Sequence, residues 1–198
     1  MSDQALERRG LPVGSVGHKA FGWWGMMTVI MTEGSLFAYL LFSYYYFVVQ
    51  HGRVWIPETP SLKLAAPNTA ILLLSSLFVW WGEHSAARNQ RGRQAAGLAI
   101  GLALGVVFLI IQTYEWREKS FTVASTSYGS SYFITTGFHM AHVLFGALML
   151  AAVLIWSLMN YFDANRHAAL SIAAIYWHFV DVVWLAIFFT FYLTPYIG

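Results

Sequence analysis

No cysteine occurs in this sequence. Disulfide frameworks, thiolate zinc sites, iron–sulfur ligation and a cysteine nucleophile are therefore excluded, and the redox compartment stays open. Charge is almost as scarce. Charged residues make up 10% of the 198 positions, against roughly 25% in ordinary soluble domains. The net charge of +2 arises from 11 basic and 9 acidic residues scattered along the chain. That is too weak and too dispersed to hold a phosphate backbone, so nucleic acid is not an expected partner. What the chain does have is apolar surface: 58% hydrophobic and 18% aromatic residues, including 9 Trp, 11 Tyr and 15 Phe. A soluble chain of this size could not bury so much, and a disordered chain or a collagen-like fibre is excluded on the same balance.

A bilayer core requires about 20 mostly apolar residues per helix. Five segments meet or approach that length, at approximately 22–49, 65–81, 95–114, 132–159 and 171–194. The runs are continuous and lack period-two alternation, which argues against a β-barrel. Arg8 and Arg9 precede the first run as they would in a signal peptide. That run far exceeds a 7–15-residue signal core, however, and is read as a retained membrane helix. The expected fold is all-α, an integral membrane bundle of five transmembrane helices forming a single membrane domain over residues 1–198.

Basic residues orient such a bundle. Arg8, Arg9, Lys19, Arg88, Arg91, Arg93 and Arg166 fall on one side, and Arg53, Lys63, Arg117 and Lys119 on the other. The excess places the N-terminus in the cytoplasm. Trp23, Trp24, Trp80 and Trp81 mark the inner boundary, and Tyr44, Tyr45, Tyr46, Tyr114, Trp116, Tyr192 and Tyr196 the outer one.

An ionisable side chain inside hydrocarbon costs about 2.5–3.5 kcal/mol on insertion scales, so each one calls for a reason. Glu33 lies roughly 18 Å into the first helix at 1.5 Å per residue. His139 and His142 are three apart on the fourth helix, and His178 and Asp181 three apart on the fifth. Depth alone would let a bundle gather these five residues into one buried polar cluster. Spacing leaves three roles open for the histidines: metal or haem ligation, an ion or proton path, and plain hydrogen bonding between helices. The last is the simplest. The His-x-x-His pair is similar to one box of the membrane di-iron desaturases, but those need about eight His, and this chain has 7 with different spacing.

Gly97, Gly101 and Gly105 form a stripe at four-residue steps on the third helix. Such a stripe lets backbones approach closely, either a helix of the same chain or a partner subunit. Asn68, Thr69, Ser75 and Ser76 read as hydrogen bonders between helices. Glu83 and His84 end the second helix in solvated positions. Glu115 and Arg117 end the third as an interfacial ion pair or a lipid-headgroup contact. No phosphate loop, nucleophile–base pair or open metal site emerges.

The strings around these residues resemble subunit III of the haem–copper terminal oxidases. Helix four reads Tyr-Phe-Ile-Thr-Thr-Gly-Phe-His-Met-Ala-His-Val-Leu-Phe-Gly from Tyr132 to Gly146, and helix five reads Tyr-Trp-His-Phe-Val-Asp-Val-Val-Trp from Tyr176 to Trp184. Glu33 in Met-Thr-Glu-Gly-Ser-Leu-Phe is similar to the family's buried acidic position. Asn68-Thr69, Trp81-Gly-Glu-His-Ser85 (with His84 and Ser85) and Gln112-Thr-Tyr-Glu115 match further family segments. In this order, over about residues 20–195, the strings form a specific pattern. Longer family members have two further helices before these five, and five-helix members are bacterial.

The resemblance implies an accessory, non-redox subunit with no catalytic centre, cofactor or metal of its own. Haems and copper would sit in subunits I and II of a bacterial aa3-type cytochrome c oxidase, in the cytoplasmic (inner) membrane. The chain would stabilise subunit I and support proton uptake and oxygen access during proton-pumping reduction of oxygen to water. Subunits I and II, membrane phospholipid and a larger respiratory supercomplex are the implied partners. The same subunit of a quinol oxidase, and a related accessory protein of nitric oxide reductases, fit the pattern too. From a different class, a free-standing proton-coupled transporter would show paired broken helices or a repeat, and neither is evident.

Overall fold

A computed structural model describes residues 21–58, 60–162 and 167–197. It contains five helices long and apolar enough to cross a membrane, and no strand among the described residues. They are α1 Phe21–His51, continued by a short tight turn Gly52–Trp55; α2 Leu62–Ala87; α3 Arg91–Glu118; α4 Ser127–Leu158; and α5 Ala168–Phe188. A widened turn Phe189–Leu193 and a last helical turn Thr194–Ile197 carry α5 onward. That widening precedes Pro195, which has no N–H to give to the carbonyl one turn back and crowds it sterically.

The helices run further than the apolar stretches. At 1.5 Å per residue the 31 residues of α1 reach about 46 Å, beyond a hydrocarbon core of about 30 Å. Hydropathy registers only the part in lipid, whereas capping decides where a helix stops. The Ser61 hydroxyl accepts from Lys63 N at the start of α2, and Thr126 Oγ1 accepts from Gly129 N at the start of α4. Asn89 closes α2 and Asn160 follows α4, each with φ 59°, the left-handed conformation that asparagine tolerates well.

Contacts across the loops fix which ends lie together. Arg91 Nη1 donates to Asn160 Oδ1, joining the α2–α3 and α4–α5 ends. At the opposite end Trp55 Nε1 donates to Ser127 Oγ, and the Tyr196 hydroxyl donates to Pro60 O. Arg8, Arg9, Lys19 and Arg166, four of the basic residues on which the expected orientation rests, lie outside the described residues.

Helix α5 is the centre of the bundle. It packs on α1, α2 and α4 and buries twelve of its residues, Trp177 and Trp184 completely. Lipid tails are as apolar as these side chains, so close packing and hydrogen bonds between helices, rather than exclusion from water, hold such a bundle together. The indole of Trp177 lies between α3 and α4, where a Cβ on Gly105 would fall 2.5 Å from its ring and a Cβ on Gly146 would fall 2.9 Å from it. Its N–H donates to Ser75 Oγ on α2 at 3.0 Å. One side chain thereby ties four helices. Helix α1 is the peripheral one, burying only Phe37 and Tyr44.

Candidate functional site

The small-residue stripe of α3 brings its backbone against other parts of the same chain. Gly97 meets Gly82 and the Phe78 carbonyl of α2, Gly101 meets Val79 and Ser75, and Gly105 meets Trp177. With α2 and α3 so close, Asn68 Nδ2 on α2 reaches the Phe108 carbonyl at 3.3 Å and Gln112 Oε1 at 3.4 Å. Thr69 Oγ1, bonded to its own helix at Ala65 O, accepts the Trp184 indole N–H of α5 at 2.9 Å. Ser85 bonds back to the Trp81 carbonyl, and His84 lies at the surface against the Trp80 ring, with centroids 4.3 Å apart.

Glu33, His139, His142, His178 and Asp181 do not converge on one point. They occupy three places. Glu33 on α1 and His142 on α4 form a pair, with Oε2 3.1 Å from Nε2. His142 Nδ1–H donates to the Phe138 carbonyl at 2.6 Å, which fixes the ring and points Nε2 at the carboxyl. Two protonation patterns satisfy this geometry: a carboxylic acid donating to a neutral imidazole, or a carboxylate accepting from an imidazolium. The pair borders a pocket of about 280 Å³ with Val29, Ala141, Phe145 and Tyr176. It ties the peripheral helix to α4, while the Tyr44 and Tyr45 hydroxyls tie it to Thr194 and Thr190 beyond α5.

His139 is one turn earlier on α4 and fully buried. Its Nε2–H donates to the Val180 carbonyl of α5 at 3.1 Å, and its ring is enclosed by Phe37, Phe108 and Trp184. His178 finds its partner on α2, where Nδ1 is hydrogen-bonded to the Ser76 hydroxyl. Asp181 is therefore not the acid that pairs with His178. Its carboxyl is buried, Ser76 is the polar group that interacts with it, and neither oxygen has a hydrogen bond of ordinary geometry among the described residues. Helix rotation accounts for the separation: residues at equal depth can point to different neighbours.

Glu115 is not an interfacial partner of Arg117. Two residues apart on a helix, they face different ways. Glu115 is buried, and its Oε1 accepts from Lys119 at 3.1 Å, from the Tyr132 hydroxyl at 3.3 Å and from the Tyr192 hydroxyl. The two tyrosine hydroxyls are 2.7 Å apart, and the Lys119 ammonium sits over both rings. Arg117 instead lies over Tyr114. Tyr192 reads from sequence as an interface aromatic, and Tyr132 only as the start of the fourth apolar run; the signal that would have placed both inside was their proximity in depth to Glu115. Among the described residues no three His, Asp or Glu side chains are arranged to hold a metal ion.

Five apolar spans, an interior fastened by hydrogen bonds from helix to helix, and ionisable side chains dispersed through it define a multi-pass helical membrane protein. Comparison with known proteins makes the class specific. A family model described as "Cytochrome c oxidase subunit III" matches residues 16–196. The Drosophila melanogaster protein "Cytochrome c oxidase subunit 3" is 38% identical over 177 residues, 85% of this chain and 68% of the relative. The protein of that name from Spodoptera frugiperda is 45% identical over 143 residues, 70% of this chain and 97% of the relative. The Homo sapiens protein is 37% identical over 177 residues, 85% of this chain and 68% of the relative. The chain belongs to the cytochrome c oxidase subunit III family.

Proposed function

We propose that this chain is the accessory subunit III of an aa3-type cytochrome c oxidase in a bacterial cytoplasmic membrane, with its N-terminus in the cytoplasm. The observation that carries the reading is the family match along residues 16–196. The subunit III family is non-redox, so the haems and copper of the holoenzyme belong to subunits I and II. The orientation rests on the excess of basic residues on one side.

The role follows from what the interior does. Glu33–His142 ties α1 to α4, Ser76–His178 ties α2 to α5, and His139 ties α4 to α5. In this reading these residues, with Asn68, Thr69, Ser85 and Glu115, are a rigid internal frame. His84 lies outside that frame at the surface. The apolar outer faces of the helices meet lipid, including tightly held phospholipid, and subunit I. A rigid frame beside subunit I keeps that subunit's fold intact through turnover and leaves proton uptake and oxygen entry undisturbed.

Gentle purification of the tagged chain from its host, with identification of partners and a reduced-minus-oxidised spectrum, tests this. Larger subunits, haem bands and oxygen consumption on the assembly, with no haem on the separated chain, are expected. A dicopper centre in the co-purifying subunit II assigns cytochrome c as donor; its absence assigns a quinol and refutes that part of the proposal. A solitary chain, colourless or red, would overturn the accessory reading.

A further inference from the structure

Nine side-chain N or O atoms of the described residues are buried without a hydrogen-bond partner. Seven of them belong to six residues: Asn68, Gln112, Glu115, Thr135, His139 and Asp181. Native interiors leave few buried polar atoms unanswered, because each such atom loses its hydration without return. Seven of the nine, on six residues of one region, form a pattern.

Shared helix faces and common neighbours relate these six residues to one another. Gln112 and Glu115 are three apart on α3, and Thr135 and His139 four apart on α4, so each pair shares a helix face. Asn68 bonds to Gln112 and to the Phe108 carbonyl, and the Phe108 ring stands against that of His139. Tyr132, one turn before Thr135, bonds to Glu115. His139 donates to the carbonyl of Val180, the residue next to Asp181. Asp181 lies on the inner stripe of α5 between Trp177 and Trp184, both fully buried. One end of the series opens. Glu115 also lines a pocket of about 440 Å³ with Glu58, Ser61, Lys63, Glu118 and Lys119, at the end of the bundle where α3 finishes and α4 begins.

We infer that these residues form an internal water-binding column running from that pocket to Asp181. Along α4 the stretch from Tyr132 to His139 covers about 10 Å at 1.5 Å per residue, and Asp181 lies beyond it. The free atoms are of both kinds that water needs: an amide donor on Gln112, a hydroxyl on Thr135, and acceptors on Asn68, Glu115, His139 and Asp181. His139 Nδ1 is an acceptor because Nε2 carries the proton given to Val180. A buried water makes two to four hydrogen bonds, so on the order of two to four waters answers the seven atoms. The column gives the mid-bundle carboxyl a hydrogen-bonded connection to one membrane face, a property distinct from helix packing. The Trp177 indole, packed toward Gly105 and Gly146 and bonded to Ser75, offers no free polar atom to it.

Radiolytic footprinting tests this directly. Hydroxyl radicals made from water in place mark a buried side chain only where water touches it. Membranes containing the full chain are exposed briefly to a synchrotron beam in ordinary water and in ¹⁸O-water, and modified peptides are read by mass spectrometry. Tyr132 and His139, both buried, are expected to be modified severalfold more than Trp177, equally buried and intrinsically more reactive than histidine or tyrosine. Their label is expected to take up ¹⁸O. Thr135→Val, which keeps shape and removes one polar atom, is expected to lower labelling of His139 while leaving Tyr132 unchanged. Labelling of Tyr132 and His139 at or below the level of Trp177 in the unaltered chain would overturn the column. Unchanged His139 labelling in the folded Thr135→Val variant would overturn its continuity.

Discussion

Replacing Gly105 by alanine adds one methyl group at the most crowded contact of the Trp177 lock. The new Cβ would lie 2.5 Å from Trp177 Cη2 and 2.7 Å from Cζ2. Carbon atoms pack best at about 3.5–4.0 Å, so the ring must retreat by about an ångström. It has nowhere to go, because Gly146 on α4 stands against its other edge through Cε3 and Cζ3. Overpacking of this kind costs about 1–3 kcal/mol. Alanine in place of glycine inside a helix returns roughly 0.5–1 kcal/mol, leaving a net loss of about 1 kcal/mol at the middle of both ranges and up to about 2.5 kcal/mol. At about 2–4 °C per kcal/mol for a chain of this size, the tagged chain in solubilised membranes should leave solution several degrees lower. Gly92→Ala, where nothing stands within 4 Å, is the control and should be neutral or stabilising. Trp177→Phe removes the ring atoms that the methyl overlaps. The Gly105→Ala/Trp177→Phe double variant should therefore lose less than the two single variants together, with a coupling within the 0.5–3 kcal/mol seen for contacting residues. Gly105→Ala behaving like Gly92→Ala, or strict additivity with Trp177→Phe, would refute the reasoning.

Gly97→Ala should be more damaging than Gly105→Ala, since its Cβ would fall 2.7 Å from the Phe78 carbonyl oxygen and 2.8 Å from Gly82 Cα, backbone atoms that move only if α2 and α3 separate; the same thermal assay ranks the two. Trp184→Phe and Thr69→Val remove the two partners of the indole N–H bond to Thr69 and, in a double-mutant cycle, should couple by about 0.6 kcal/mol, at most about 1.7, the range such cycles give in membranes; the single Trp184→Phe variant loses more, because it also opens space at a fully buried site. A coupling of zero or several times larger would contradict that assignment. Glu33→Ala cuts the tie from α1 to His142. It should leave the haem content of the assembled oxidase unchanged while lowering thermal stability or shortening sustained turnover, measured by pyridine haemochrome and by oxygen uptake on one preparation.

The spans were legible in the sequence because a row of about 20 apolar residues suits little besides the hydrocarbon of a bilayer. Their ends were not: polar starts such as Ser127-Tyr-Gly-Ser-Ser and Arg91-Gly-Arg-Gln lie outside the hydrocarbon, yet the Thr126 cap holds the first helical and the Arg91–Asn160 bond anchors the second. The polar residues were legible as unusual, one by one, from the energetic cost of placing them in lipid. Their pairing depends on rotation about each helix axis, which depth cannot supply. His178 and Asp181 show this most clearly: three apart on one face, both reach Ser76, and only the histidine gains a well-formed bond. Tyr192 shows the reverse failure. Its sequence position suits an interface aromatic, but the widened turn at Phe189–Leu193 buries it against Glu115.

Oxygen uptake through prolonged turnover, by otherwise identical oxidase preparations with and without this chain, tests the accessory role most directly. The role predicts equal haem spectra and an active enzyme in both, with activity decaying sooner in the preparation lacking the chain. Loss of haem bands from an otherwise assembled complex, or identical lifetimes with and without the chain, would contradict it.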